Sequence, residues 1–540
     1  MTLASKLVGR LARLGPRVHT VSREVDLEVK MRDGTVLLAD RYFPADRSSA
    51  PVVLVRTPYG RTGVGALPAH VFAERGYQCV VQSCRGTFGS GGEFEPFVHE
   101  ADDGADTIAW LRDQAWCTGW VSMFGASYVG YTQWSVAASG EQLDAVGLSV
   151  TASTLRPIVA PDGVFNFDLA LTWSHVVRHQ EDARWKVLLS TARQRKTLKP
   201  GFAHLPLVDA DRAGIGAESE VFRNFVASVP ADAELWKRSD RDVAALTAPA
   251  QFIAGWQDCF LIQQLDDYRR VTAAGHDTSL VIGPWIHTSP QLFFAQLREN
   301  LEWFDAHTGR ARNARRAPVR VCITGSKRWI DLDSWPPPAQ PERLHLQGGG
   351  ALSAAEPDDA SPDAFTYDPS DPTPSVGGPL LGMHAGSRDN RGVEARADVL
   401  TYTTAPLPRA LTTMGSMSVH LELESDIAYV DVFLRVCDVE PRGRSLNVAD
   451  RLVRLGPGDF DATGATALDI ELSPAGHCFR PGHRIRLQVA GGAHPRFARN
   501  LGTGEPFATG TRTVPSTRRA FHDKARPSWI DIPVFTESTT

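Results

Sequence analysis

The chain has 540 residues, 42% of them hydrophobic and 22% charged, with 46 Gly, 36 Pro and a formal net charge of −5. That ordinary globular composition leaves room for about two to four domains and excludes a disordered, collagenous or small disulfide-stapled protein. Lys+Arg 57 against Asp+Glu 62, with no long block of one sign, argues against a nucleic-acid partner.

Seven cysteines are scattered without a CxxC pair. This predicts reduced thiols, a cytoplasmic location and no zinc site. The basic N-terminal stretch is interrupted by Arg10, Arg13 and Arg17, so it lacks the roughly 7 to 15 apolar residues of a secretory signal. No run of about 18 apolar residues predicts a membrane span. The expected partner is a small-molecule substrate, with no metal, cofactor, nucleic acid or membrane; self-association is left open.

In chain order, alternating Val25, Leu27, Val29 and Met31, then Asp33-Gly34, then Val36 to Tyr42 predict a β-hairpin. Val52–Val55 and Tyr77–Gln82 are short continuous apolar runs, the second preceded by a helical segment ending at Gly76. Runs of this kind separated by helices predict strands buried on both faces of a mostly parallel sheet. A helix over Asp102–Gln114, a strand over Val121–Phe124 and a helix beyond Ser127 follow. From 155 to 240 strand character is lost, and Phe167–Gln180 and Arg184–Gln194 read as amphipathic helices of an inserted cap. Strands return at Gln251–Trp256 and Leu280–Ile282, before a helix over Leu292–His307.

From about 318 short alternating strands separated by Gly- and Pro-rich turns predict an all-β sandwich of jelly-roll type. The expected division is therefore an α/β domain over 1–154 and 241–317, a helical cap over 155–240, and a β domain over 318–540. The loop Asp368–Arg396, with Gly377-Gly378, is long for a compact domain and is a candidate functional segment.

Gly125-Ala126-Ser127-Tyr128-Val129-Gly130 lies where a buried strand turns into a helix, the place of a nucleophile elbow. Small neighbours let the strained turn expose the serine Oγ, and the helix N-terminus offers a free N–H to a developing oxyanion. The pattern is G-x-S-x-x-G, one residue longer than usual, so by itself it is weak. An attacking serine needs a base, and the base an acid to hold its tautomer, in the order Ser, Asp, His. Gln257-Asp258 follows one predicted strand and Gly283-Pro284-Trp285-Ile286-His287 the next, at strand ends where an open α/β sheet gathers its site. Asp258 alone reads equally as a turn residue and His287 as a loop histidine; the ordered set makes the case.

VSMFGASYVGYTQW, with Ala115-Trp116 upstream, GWQD at 255–258 and GPWIH at 283–287, resembles the X-prolyl dipeptidyl-peptidase, cocaine esterase and α-amino-acid ester hydrolase family of serine hydrolases. RTPYG at 56–60, RGTFGSGGEF at 85–94, YDP at 367–369, DVL at 398–400 and FRPGHRIRL at 479–487 extend the likeness along nearly the whole chain. The resemblance implies an α/β-hydrolase domain interrupted by a helical cap and followed by a jelly-roll β domain. It implies Ser127 as nucleophile, His287 as general base and Asp258 as its orienting carboxylate. Tyr59, through its hydroxyl, and Tyr128, through its N–H, are implied as the oxyanion hole. Arg85 is better explained as an ion-pairing, loop-shaping residue, and Glu100, Asp103 and Asp106 as acids favoured at a helix start.

Relatives that act on α-amino acyl groups place acids just after the triad aspartate, whereas here Cys259, Phe260 and Leu261 follow Asp258. Phe260 and Trp173 resemble the aromatic walls of a benzoyl pocket and suit a neutral aromatic or branched acyl group; core packing explains either residue as well. Glu181 and Asp182 in the cap remain candidates for an anionic subsite. The expectation is a cofactor-independent ester hydrolase acting through an acyl-enzyme, with an amide as the second choice of bond. An acyltransferase with the same triad, an X-prolyl dipeptidyl aminopeptidase and, last, a non-catalytic carbohydrate-binding protein are the alternatives.

Overall fold

The computed structural model describes residues 3–63, 65–310 and 317–537; the outer limits expected for the first and last domains, 1 and 540, lie outside them. Ten strands form the first sheet: β1 Val21–Lys30, β2 Val36–Pro44, β3 Ala50–Thr57, β4 Gln78–Ser83, β5 Cys117–Ala126, β6 Ala145–Ser149, β7 Ala250–Gly255, β8 Thr278–Gly283, β9 Val319–Ile323 and β10 Arg328–Leu332. Their order is β1-β2-β4-β3-β5-β6-β7-β8-β9-β10. Pairing is parallel from β4 through β9 and antiparallel at the two ends. The apolar runs Val52–Leu54 and Val80-Val81 are fully buried, as central strands covered on both faces require.

Helices cover the sheet. Gly104 shows how closely they pack, because a Cβ there would lie 2.4 Å from Val136 Cγ2 on the helix Tyr128–Ala138. Between β6 and β7 the described residues form helices and no strand, the longest being Phe167–His179 and Arg184–Ala203. No helix among the described residues is long and apolar enough to cross a membrane.

Strands from Gln340 to Val534 form a second, 13-stranded sheet. It is antiparallel except between Ala351–Ser353 and Val399–Thr403. Its core is aliphatic, with Val432, Leu434, Val436, Leu487 and Val489 among the fully buried residues.

One expectation is corrected. β9, placed above with the β-rich region beginning at 318, pairs in parallel with β8 and belongs to the first sheet, as does β10. The reason is topological: β8, the helix Pro290–His307 and β9 make one more strand–helix–strand crossover, and Val319, Val321 and Ile323 are all buried. The chain changes sheets between Leu332 and Gln340. The two parts pack together beside it, the Thr324 N–H donating to the Gly476 carbonyl at 2.8 Å and a Cβ on Gly476 falling 2.6 Å from the Trp256 ring.

Candidate active site

β5 ends in the turn that carries Ser127, whose backbone sits at φ 58°, ψ −125°. A non-glycine residue in that region is strained and persists only where its surroundings fix it. Here they do. The Ser127 N–H donates to the Ser149 carbonyl at 3.0 Å, and its own carbonyl accepts from the Thr151 hydroxyl and the Gly130 and Tyr131 N–H groups, each at 2.9 Å. The flanking glycines are sterically required: a Cβ on Gly125 would lie 2.1 Å from Val129 Cγ1, and one on Gly130 2.5 Å from Thr151 Cβ. Tyr128 opens the helix Tyr128–Ala138, and the first N–H groups of a helix have no internal acceptor.

Two more glycines bring the acid and the imidazole together. Gly255 ends β7 and Gly283 ends β8; a Cβ on either would collide with Trp285, at 2.6 Å from its carbonyl oxygen and 2.3 Å from its ring. Trp285 therefore folds across both strand ends, its carbonyl accepting from the Gln257 N–H at 3.1 Å. The segment that follows delivers His287, whose Nδ1 lies 2.8 Å from Asp258 Oδ2. Asp258 is buried, and its Oδ1 accepts the Phe260 N–H at 2.8 Å. Asp258, Cys259 and His287 hold three donor atoms within 4.8 Å of one another. As a metal site the set is poor: the Asp258–His287 contact is already a hydrogen bond, and burial pushes the Cys259 thiol well above its usual range, keeping it protonated.

Ser127 opens into an apolar pocket, which Trp173, Phe260, Phe225 and Leu381 also line. The Phe260 ring stacks on His287, centroids 5.4 Å apart, so the Asp258–His287 pair stands beside the pocket. Trp173 is buried, and its indole N–H donates to the Tyr59 hydroxyl oxygen at 3.0 Å. That bond occupies a Tyr59 lone pair and leaves the hydroxyl proton free to donate elsewhere. Burial pushes the Tyr59 pKa up to about 12, so the phenol is neutral at any ordinary working pH.

The structure thus brings Ser127, Tyr128, Trp173 and Phe260 around one pocket, with Tyr59 hydrogen-bonded to Trp173 and the His287 of the Asp258–His287 pair stacked on Phe260. Glu181 and Asp182 do not line it: Glu181 accepts the Phe88 N–H at 3.0 Å, and Asp182 lies 2.8 Å from His179 Nδ1. Among the described residues, none that lines this pocket is a carboxylate. Leu381, absent from the residues picked by sequence, comes from the long loop Asp368–Arg396; only the loop's length signalled it. Met383, on the same loop, accepts the Thr288 hydroxyl at 3.4 Å, next to His287. Arg85 pairs with Asp103 and Asp33, as a loop-shaping residue would.

A family model described as X-Pro dipeptidyl-peptidase (S15 family) matches residues 33–289. A second, for the X-Pro dipeptidyl-peptidase C-terminal non-catalytic domain, matches residues 310–531. The chain is 30% identical to the cocaine esterase of Rhodococcus sp. (strain MB1 Bresler), over 94% of this chain and 97% of that protein. Among solved structures it superposes on an aminopeptidase from a marine-sediment Thaumarchaeota archaeon with a TM-score of 0.80 at 22% identity, covering 97% of this chain and 98% of that one. An α-amino acid ester hydrolase gives a TM-score of 0.80 at 23% identity, with the same coverage. The chain therefore belongs to the X-Pro dipeptidyl-peptidase (S15) family and is a serine hydrolase of the α/β-hydrolase class with an all-β C-terminal part.

Proposed function

We propose that this protein hydrolyses carboxylic esters through an acyl-enzyme on Ser127 and prefers neutral aromatic or branched acyl groups. Ser127 Oγ attacks the ester carbonyl while His287 takes its proton, and Asp258 holds the imidazole tautomer and steadies the imidazolium. The Tyr59 hydroxyl and the Tyr128 N–H receive the oxyanion. The protonated His287 then gives its proton to the leaving alcohol, and a water repeats the sequence to release the acid.

The observation that carries the acyl preference is the wholly apolar and aromatic wall around Ser127. An α-ammonium group entering it loses its hydration and meets no carboxylate, at a cost of several kcal/mol. The same lack stands against an X-prolyl dipeptidyl aminopeptidase, which must hold a free N-terminus. Methyl phenylacetate and the methyl ester of phenylglycine differ at the α-carbon only by that ammonium. kcat/KM is expected to favour the phenylacetate by about a hundredfold; a preference for the aminoacyl ester would sink the assignment. Product analysis with competing alcohols distinguishes hydrolysis from acyl transfer.

The Trp173 indole N–H offers a second test. Trp173→Phe keeps an aromatic wall but frees the Tyr59 hydroxyl to turn, and kcat is expected to fall by about three- to tenfold, the worth of one neutral hydrogen bond. Tyr59→Phe, which removes the donor itself, is expected to cost about a hundredfold in kcat. Steady-state kinetics of the two variants side by side check the order.

A further inference from the structure

Acidic residues at the start of a helix are ordinarily explained by the helix dipole, and Glu100 opens the helix Glu100–Arg112. Its side chain does something else. Glu100 is 3% exposed; one carboxylate oxygen accepts the Tyr128 hydroxyl at 2.7 Å and the other pairs with Arg56 Nη1 at 2.8 Å. Arg56 is completely buried and also donates to the Glu100 carbonyl at 2.8 Å and to Gln82 Oε1 at 2.8 Å. The carboxylate is thereby anchored to β3 and β4, under the turn that carries Ser127.

The Tyr128 hydroxyl is saturated in turn, since it donates to Glu100 and accepts the Phe97 N–H at 2.9 Å. Burial and the neighbouring carboxylate push its pKa well above the usual tyrosine range, so it remains a donor. Its ring lies in a stack with Phe97, at 4.7 Å, and Trp173, at 6.2 Å and 19° from parallel. Trp173 is the residue that donates to the Tyr59 hydroxyl. A continuous line of fixed side-chain contacts thus runs from Glu100 through the Tyr128 ring and Trp173 to Tyr59, and it includes the residue whose main-chain N–H opens the helix after Ser127. Buried ion pairs are often no better for stability than apolar residues of the same volume, so this one is better explained by what it holds.

We propose that Glu100 is a positioning residue of the oxyanion hole, gripping Tyr128 from behind so that its N–H and the Tyr59 hydroxyl converge on one point. The proposal rests on the assignment of Tyr59 and Tyr128 as the oxyanion donors given above. Glu100 touches no reacting atom and acts through the tyrosine.

Tyr128→Phe removes only the hydroxyl; the ring and the main-chain N–H remain. Glu100→Gln keeps the shape and an acceptor but leaves Arg56 with Asp103 at 3.9 Å as its nearest carboxylate. Each variant is assayed per active site titrated with a fluorophosphonate, which removes any contribution from misfolded protein. kcat, KM and the inhibition constant of phenylboronic acid, whose tetrahedral adduct mimics the oxyanion, are measured. The expected result for Tyr128→Phe is a kcat about tenfold lower, KM within about twofold, and boronate inhibition weakened as much as kcat. Glu100→Gln moves the same quantities in the same direction, and the double variant is no slower than Glu100→Gln alone. Should Glu100→Gln fold poorly, Tyr128→Phe carries the test.

Wild-type kcat and boronate inhibition in Tyr128→Phe overturn the proposal, and so do losses that multiply in the double variant. Tyr59→Phe is measured alongside. Wild-type kcat there overturns the oxyanion-hole assignment and this proposal with it; a loss there with none in Tyr128→Phe overturns the proposal alone.

Discussion

Ser127→Ala is expected to lower kcat by about a million-fold, the scale on which loss of a nucleophile is felt in serine hydrolases, with little change in thermal stability. The backbone strain at φ 58° does not depend on the hydroxyl, because the bonds that hold Ser127 in place run through its N–H and carbonyl. Alanine therefore occupies the same turn, and only the attacking oxygen is lost. The residual rate reports what the oxyanion donors and substrate binding achieve without a covalent intermediate. Ester turnover measured beside a thermal melt checks this, and a variant retaining more than about one hundredth of wild-type kcat would contradict it.

Asp258→Asn carries the second-largest expected effect, about ten-thousand-fold in kcat, with the fold intact. The direction follows from the two partners of the carboxylate. Oδ1 accepts the Phe260 N–H and Oδ2 faces His287 Nδ1, both at 2.8 Å. An asparagine that keeps its oxygen on the Phe260 N–H presents its NH2 to His287. That forces Nδ1 to accept and Nε2 to carry the proton, the tautomer that cannot take one from Ser127. An asparagine turned the other way sets two donors face to face at Phe260. The check is kcat at neutral pH, where a loss of less than about tenfold would overturn the orienting role given to Asp258.

Much of this was legible in the sequence, because the site is built where backbone geometry dictates residue type. Glycine at 125 and 130 is written into the strand-to-helix turn, since a Cβ at either has no room. The extra residue in G-x-S-x-x-G is explained by the second glycine serving the contact with Thr151. Gly255 and Gly283 mark the two strand ends for the same kind of reason, so that GWQD and GPWIH carry the positions of Asp258 and His287 together.

Less legible were contacts that depend on distant segments meeting. Glu100 reads as a helix-start acid because its partners, Arg56 and Tyr128, lie 44 and 28 residues away and nothing local ties them to it. The Trp173 indole looks like a wall, and its bond to Tyr59 spans 114 residues. Leu381 reaches the pocket from a loop whose own residues carry no signal. β9 reads as a strand of the second sheet for a related reason: a short β-branched run followed by further short strands looks the same in either sheet, and only its pairing with β8 decides.

The central claim is that an acyl group is carried on Ser127. The most direct measurement is intact-protein and peptide mass spectrometry after rapid acid quench of the enzyme turning over an aryl ester. The expected result is a mass increase equal to the acyl group, located on the peptide containing Ser127, absent from Ser127→Ala and enriched in a variant whose deacylation is slowed. Turnover of the ester at wild-type rate with the acyl group on another residue would contradict it.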